Sequence, residues 1–256
     1  MITSPHNQTI KRVRHLQNRS KARQEEKAFV VEGLRLVEEA LLYGWDPDVV
    51  LFTEDLDQRG WDIVNGFRGQ DIPTLQVSPE AMKAASDTQS PQGLLAVLPM
   101  KGQPQPRKKD FVLLADQVRD PGNLGTLLRT ALAAGVDSVL LPPGTVDPHS
   151  PKVVRAGMGA HFRLPVQKIS WEEILQQLED LTVFVADVER GLPHTKADFK
   201  QPLALIIGNE VRGPGRKAQS AATHEVHIPM PGEAESLNAA IAGAILIFEV
   251  VRQRQA

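Results

Sequence analysis

Three short polar segments in the second half of the chain contain the residue types that chemistry requires. Asn123 is followed six residues later by Arg129, within DPGNLGTLLRTALAAG. Glu210 lies just beyond a short apolar run, in IIGNEVRG, and Ser236 and Asn238 immediately precede the apolar segment AAIAGAILIF. Together they supply a carboxylate, two amides, a hydroxyl and a guanidinium, which are groups that bind polar ligands and stabilise developing charge.

Each of these residues also has a purely structural explanation. Asn123, Ser236 and Asn238 are residue types that cap helices, and Arg129 on a helix surface can be a solvated cation. Glu210 can order its own loop by accepting backbone N–H bonds. None of the segments taken alone decides between a structural role and a chemical one.

The elements that must position these residues are short strands alternating with helices. We predict strands at 203–207 and 226–228 and a helix that starts at Asn123. A final helix follows Asn238, and its apolar face is formed by Leu237, Ile241, Ala244, Ile245 and Phe248. Strand–helix–strand alternation predicts a parallel sheet, and ligands bind at the carboxyl ends of such strands. We therefore expect the polar segments to surround one crevice, without the G-x-G-x-x-G spacing of a dinucleotide site.

A change of composition divides the chain into two predicted domains. Residues 99–110, PMKGQPQPRKKD, combine prolines with basic residues and read as a semi-rigid linker. We predict an α/β domain at 1–98, with strands at 28–31, 49–52, 74–77 and 94–98 and helices at 8–18, 32–43, 61–67 and 79–85. A second α/β domain at 111–256 adds strands at 111–115, 138–141, 164–167 and 182–186 and helices from 151 and at 171–178.

The composition is that of an ordinary soluble protein. Of the 256 residues, 41% are apolar and 23% charged, which excludes a disordered chain. The absence of cysteine excludes disulfides and thiolate metal sites. The N-terminal segment has no apolar signal core and the longest apolar run is too short to span a bilayer, so we expect a cytoplasmic protein without a membrane partner. His224 and His227 give only two ligands on one strand, and we expect no metal.

Positive charge is concentrated at the N-terminus. Residues 1–27 hold seven cations and two glutamates, a net charge of +5, whereas the whole chain has −2. The cations are Lys11, Arg12, Arg14, Arg19, Lys21, Arg23 and Lys27. Such asymmetry indicates a polyanion partner. The alternative is a solvated basic helix at 8–18, whose apolar residues recur at helical spacing.

In their order and spacing, the three polar segments resemble the motifs of the SpoU (TrmH-like) branch of the SPOUT methyltransferases. The matching patterns are N-x-x-x-x-x-R, then I-I-G-N-E-x-x-G, then I-P-M-x-G-x-x-x-S-L-N-A-A. The first domain is similar to that family's L30e-like substrate-binding domain, through residues 11–23, FVVEG at 29–33 and the segment 88–93. The resemblance covers nearly the whole chain.

The resemblance implies an enzyme that methylates a ribose 2′-hydroxyl of RNA with S-adenosylmethionine. It also implies a trefoil-knotted catalytic domain that forms a homodimer, an exception to the rule against knots. The cofactor would lie against Gly208, Ile228, Met230, Gly232 and Leu237, and the catalytic residues would be Asn123, Arg129, Glu210, Ser236 and Asn238. The RNA contacts would be Lys11, Arg12, Arg14, Arg19, Lys21, Arg23, Lys152 and Arg155.

The basic N-terminus and the L30e-like half favour ribosomal RNA, 23S in particular, over transfer RNA. From another functional class, the alternative is a non-catalytic RNA- or ribosome-binding protein that kept the fold. A guanidinium is protonated far above neutral pH, so we expect Arg129 to bind phosphate and stabilise the alkoxide instead of acting as a base. The identity of the base stays open.

Overall fold

A computed structural model describes residues 1–232 and 234–255. The helices are α1 Gln8–Asn18, α2 Ser20–Glu26, α3 Leu34–Leu42, α4 Gln58–Arg68, α5 Pro79–Ala85, α6 Pro121–Ala133, α7 Pro151–Gly157, α8 Trp171–Leu178, α9 Arg216–Ala221 and α10 Ala239–Gln255. The strands are β1 Ala28–Glu32, β2 Val49–Phe52, β3 Thr74–Gln76, β4 Leu94–Pro99, β5 Phe111–Ala115, β6 Ser138–Leu141, β7 Val166–Lys168, β8 Thr182–Asp187, β9 Leu192–Pro193, β10 Leu203–Ile207 and β11 His224–His227. In the described part of the chain, no helix is long and apolar enough to cross a membrane.

The chain forms two compact units. Unit 1 comprises Met1–Lys101 and His149–Phe162, and unit 2 comprises Gly102–Pro148 and Arg163–Ala256. The first division lies inside the predicted linker. Residues 149–162 depart from the predicted domain limits, because they lie within the segment 111–256 yet pack with unit 1.

Unit 1 is built on a four-stranded sheet with the order β1-β4-β2-β3, in which β4 is antiparallel to both of its neighbours. The apolar residues of α1 that are spaced by threes, Ile10, Val13 and Leu16, are fully buried against one face of this sheet. On the other face, Val154 and Phe162 of the 149–162 segment join a core that contains Phe29. That shared core explains why the segment belongs to unit 1.

Unit 2 is built on a seven-stranded sheet with the order β7-β6-β5-β10-β8-β11-β9, and all of its strand pairs are parallel. Both central strands, β5 and β10, are buried along their whole length, as expected for a sheet covered by helices on both faces. The carboxyl ends of β8, β10 and β11 therefore open at the same edge. The mixed α/β class with a parallel C-terminal sheet is as predicted from the sequence.

Helix α10 turns a different face inward from the one predicted. Its small and aliphatic residues Gly243, Leu246 and Val250 are buried, whereas Ile241 and Phe248 are 51% and 48% exposed. A Cβ atom on Gly243 would lie 2.4 Å from a side-chain carbon of Leu127, so glycine is what allows α10 to approach α6 closely. Since α10 is apolar on every side, its sequence period could not identify the inner face.

Candidate active site

A cavity of about 420 Å³ opens at the carboxyl edge of the unit 2 sheet. It is lined by segments that follow three neighbouring strands and by the start of α10. Its lining residues include Asp187, Arg190, Ile207, Gly208, Asn209, Glu210, Pro214, Ile228, Met230, Ser236, Leu237 and Leu246. The sheet topology thus gathers the second and third polar segments at one place, as the sequence predicts.

Four of the five predicted cofactor residues line this cavity. They are Gly208, Ile228, Met230 and Leu237, whereas Gly232 is not among the lining residues. Gly208 has a steric reason to be glycine, because a Cβ atom there would lie 2.3 Å from the backbone nitrogen of Pro214. Loop 208–215, which follows β10, can therefore close on itself only without a side chain at this position.

Glu210 holds this loop against the start of α6. Its carboxylate accepts hydrogen bonds from the backbone N–H groups of Arg119 and Asp120 at 3.2 and 3.1 Å. The side-chain amides of Asn123 and Asn209 donate two more, at 3.1 and 3.2 Å. Burial alone would raise the pKa of Glu210, but hydrogen bonds from its own backbone N–H, from the Asn123 side chain and from the backbone of Asp120 and Arg119 outweigh it and lower the pKa below its ordinary value. These donors hold Glu210 as an ionised carboxylate that clamps the loop to the start of α6.

A chain of side-chain amides connects the three polar segments. Asn238 Nδ2 donates to Asn123 Oδ1 at 2.9 Å, and Asn123 Nδ2 in turn donates to Glu210 Oε1. Asn238 Oδ1 accepts from the backbone N–H groups of Ala240 and Ile241. Every amide in the chain is oriented, because the carboxylate at one end can only accept. The structure thus brings together three residues separated by up to 115 positions.

Of the three residues that could cap helices, Asn238 does so, whereas Asn123 and Ser236 do not. The N-cap of α6 is Asp120, which accepts from the backbone N–H of Asn123, so the Asn123 side chain is left to reach Glu210. The α10 helix is capped by Asn238 and not by Ser236, which instead lines the cavity. In both cases the sequence contains adjacent cap-forming residues, and only the geometry of the loop selects one.

Arg129 lies apart from these groups. It is exposed on α6, is not among the residues lining the cavity, and makes no hydrogen bond or ion pair with any residue of the described chain. Six residues along an α-helix correspond to a rotation of about 240° from Asn123. The expectation that the polar segments surround one crevice is therefore not met by Arg129 within a single chain, and the catalytic role of Arg129 stays a prediction.

The protein-family comparison decides what this site belongs to. Residues 110–248, which include the cavity and the amide chain, match the model of the SpoU rRNA Methylase family. The chain belongs to the SpoU rRNA methylase family. Residues 7–96 match the model described as an MRM3-like substrate binding domain, which confirms the predicted family and a substrate-binding domain in the first half.

Relatives of this SpoU protein match along nearly its whole length. The 23S rRNA (guanosine(2553)-2′-O)-methyltransferase RlmP of Bacillus subtilis is 34% identical, over 97% of this chain and 98% of its own. An AdoMet-bound rRNA methyltransferase from Sinorhizobium meliloti superposes with a TM-score of 0.88 at 30% identity, covering 98% and 97% of the two chains. The SpoU methyltransferase AviRb from Streptomyces viridochromogenes, in complex with the cofactor AdoMet, gives 0.91 at 26% identity, covering 98% and 99%. The predicted α/β fold class and the predicted enzyme class are confirmed, and the trefoil knot stays a prediction.

The predicted RNA-binding residues of this SpoU protein differ in the exposure of their side chains and in their ion pairs. Lys11, Arg14, Arg19, Lys21 and Lys152 are exposed. By contrast, Arg12 forms ion pairs with Glu26 at 2.7 Å and Asp48 at 2.6 Å.

The structure contradicts the prediction that Arg23 contacts RNA. Arg23 is 4% exposed, and its guanidinium donates to the carbonyls of Leu16 and Gln17 at the end of α1. It is therefore a structural residue.

Lys152 and Arg155 lie on α7 in unit 1, and not on the sheet that bears the cavity. Arg155 pairs with Asp87 at 2.8 Å.

Sequence reasoning also missed residues at the site. Asp187 ends β8 and lines the cavity, and hydrogen bonds from the backbone N–H groups of Glu189 and Arg190 outweigh burial and lower its pKa. Its position at the end of a strand resembles that of Glu210, which lies just beyond one, and this placement is the signal that could have found it. No group of three or more potential metal ligands occurs among residues 1–232 and 234–255. Of the two histidines considered as ligands, His224 stacks on the ring of Phe184.

Proposed function

We propose that this protein transfers the methyl group of S-adenosylmethionine (AdoMet) to a ribose 2′-hydroxyl of 23S ribosomal RNA. The observation that carries the proposal is the cavity at the carboxyl edge of the parallel sheet, which the second and third SpoU motifs line and to which Asn123 of the first is joined through Glu210. The B. subtilis relative acts on 23S rRNA and two structural relatives hold AdoMet. Both facts support the same substrate and cofactor here.

The residues around the cavity fit this cofactor. The volume of the cavity lies within the usual range for small-ligand sites, and its walls combine apolar residues such as Ile228, Leu237 and Leu246 with polar residues of the loops. When bound, AdoMet supplies a methyl group on a sulfonium, which is already an activated donor. The main task left to the chain is to position the 2′-oxygen in line with that methyl group.

The clamp of Glu210, Asn123 and Asn238 gives the loops around the cavity a fixed geometry before any ligand arrives. Such preorganisation lowers the cost of ordering the site during binding. We assign Arg129 to the RNA side of the reaction, where its exposed guanidinium binds a backbone phosphate and stabilises the developing alkoxide. Its solvent exposure in the free chain agrees with a partner that arrives with the substrate.

A homodimer through unit 2 belongs to the proposal. Ile241, Ile245 and Phe248 are spaced by four and three residues on α10 and are 51%, 37% and 48% exposed. They form an apolar stripe on the outer side of the helix that packs on α6, and such a stripe favours contact with an identical stripe of a second chain.

We also propose that the segment after β10 threads a trefoil knot, an assignment supported by the family and by the insertion of β10 between β5 and β8.

Unit 1 is the proposed RNA reader, supported by the substrate-binding match and by the exposed cations of α1. Lys11 and Arg14 project from the exposed side of a helix whose other side is buried. Contacts of this kind bind phosphates and set the register of the RNA, but they do not specify a base.

The test is methyl transfer from tritiated AdoMet to deproteinised 23S, 16S and transfer RNA. We expect label in 23S RNA, recovered after alkaline hydrolysis in dinucleotides, because a 2′-O-methyl group blocks cleavage at its own nucleotide. Arg129→Ala is expected to abolish transfer while AdoMet still binds. Label in transfer RNA alone, or tight RNA binding without transfer, would contradict the assignment.

A further inference from the structure

Loop 208–215 has a narrow neck. Asn209 and Gly213 exchange two backbone hydrogen bonds, each of 3.0 Å, which bring the two sides of the loop together. The contact between Gly208 and Pro214 closes the neck further. Residues 208–214 form one wall of the cavity, so any movement of this neck moves the cavity wall.

Asp116 touches both ends of the loop. It follows β5 directly, and its backbone N–H donates to the carbonyl of Ile207 at 2.8 Å, where the loop begins. Its side-chain Oδ2 accepts from the backbone N–H of Gly215 at 2.7 Å, where the loop ends. A Cβ atom on Gly215 would lie 3.1 Å from that oxygen and 2.8 Å from Gln117 Nε2, so a side chain there would crowd this contact.

The position of this carboxyl group is costly. Asp116 is fully buried, and its Oδ1 has no hydrogen-bond partner among the described residues. Burial raises the pKa of Asp116, and the hydrogen bonds from the Gly215 backbone and the Gln117 side chain oppose that rise only in part. Burying a carboxyl group with an unpaired oxygen costs free energy, so its presence needs an explanation, and the bond to the loop neck supplies one.

We propose that Asp116 is a positioning residue that sets the cavity wall by holding the neck of loop 208–215. The inference rests on the proposed use of the cavity for AdoMet. Asp116 does not line the cavity and so acts through the loop, whereas Glu210 acts on the same loop from its tip. The bond requires an acceptor and not a charge, and an asparagine side chain provides one.

The test compares Asp116→Ala, Asp116→Asn and Asp137→Ala. Asp137 is the matched control, because its carboxylate accepts from the backbone N–H groups of Asp110 and Phe111 at the opposite end of β5. We expect Asp116→Ala to raise the KM and Kd for AdoMet about tenfold with kcat changed less than about twofold, and Asp116→Asn to restore most of the affinity. Asp137→Ala should lower Tm without changing the KM for AdoMet.

Three results would overturn the inference: an unchanged Kd in Asp116→Ala, equal impairment in Asp116→Asn, or an equal rise of KM in Asp137→Ala. If Asp116→Ala does not fold, Gly215→Ala perturbs the same bond from the loop side, and an unchanged Kd in that variant also overturns it. Failure of the wild-type protein to bind AdoMet would overturn the proposed function and this inference together. Binding by wild type with no effect of the variants would overturn the inference alone.

Discussion

Replacement of Glu210 by glutamine tests the clamp most sharply, because the side chain keeps its size and loses only its charge and one acceptor. The four donors around the carboxylate come from Arg119, Asp120, Asn123 and Asn209. A glutamine oxygen can still accept two of these bonds, but its NH₂ group then faces the other donors. The loop must shift or leave donors unpaired.

The size of the effect follows from those lost bonds. A hydrogen bond to a charged group contributes about 1.5–3 kcal/mol, and partial exposure of Glu210 reduces this, so we take about 2 kcal/mol for the pair. If the loop must reorder to bind ligand, the same energy weakens AdoMet binding about 30-fold. Titration calorimetry of Glu210→Gln measures this, with exposed Glu179→Gln as the control for loss of charge.

An AdoMet affinity within twofold of wild type in Glu210→Gln would refute this explanation of the clamp. The pH dependence gives a second check. Because the pKa of Glu210 is lowered on folding, its contribution to stability is complete above the ordinary carboxylate range and is lost as the pH falls through the lowered pKa. The glutamine variant should lose that part of the acid sensitivity.

Three further predictions concern other parts of the chain. Phe248→Asp places a charge in the apolar stripe of α10 and should convert the dimer to a monomer. Light scattering measures the molecular mass, and an unchanged mass would exclude this face as the interface. Hydrogen bonds from Arg252 lower the pKa of Glu249 to about 2. The wild-type protein should therefore lose unfolding free energy as the pH falls from 4.5 to 2, and Glu249→Gln should reduce that loss by up to about 2 kcal/mol, measured by urea titration at each pH. An unchanged pH dependence in the variant would contradict a stabilising pair of Glu249 and Arg252. Replacing Lys11 and Arg14 by alanine should reduce the slope of log K for RNA against log salt by about 1.4, and an equal slope would show that α1 is not in contact.

The sequence predicts most of the sheet because its central strands are short apolar runs. Leu203–Ile207 is buried throughout, and Glu210 beyond it reaches the site as expected. Asp116 is also the first residue after a buried strand. An acidic residue before a turn is usually exposed to solvent, and the sequence has no feature that marks Asp116 as buried. Only the position of Gly215, 99 residues later in the chain, reveals its function.

Other features depend on packing that no local pattern encodes. The inward face of α10 follows from the contact between Gly243 and Leu127, and not from the helical spacing of its isoleucines. Segment 149–162 packs with unit 1 through Phe162, although the chain around it belongs to the parallel sheet. Arg23 has the same charge as its exposed neighbours, and only the fold makes it the buried partner of two carbonyl groups at the end of α1.

The central claim is that the loops after β10 and β11 and the start of α10 form the cofactor site. A crystal structure with S-adenosylhomocysteine, the demethylated product, measures this most directly. We predict that the product lies in the 420 Å³ cavity against Gly208, Ile228 and Leu237. Density for the product elsewhere on the protein, or an empty cavity at saturating concentration, would contradict the account.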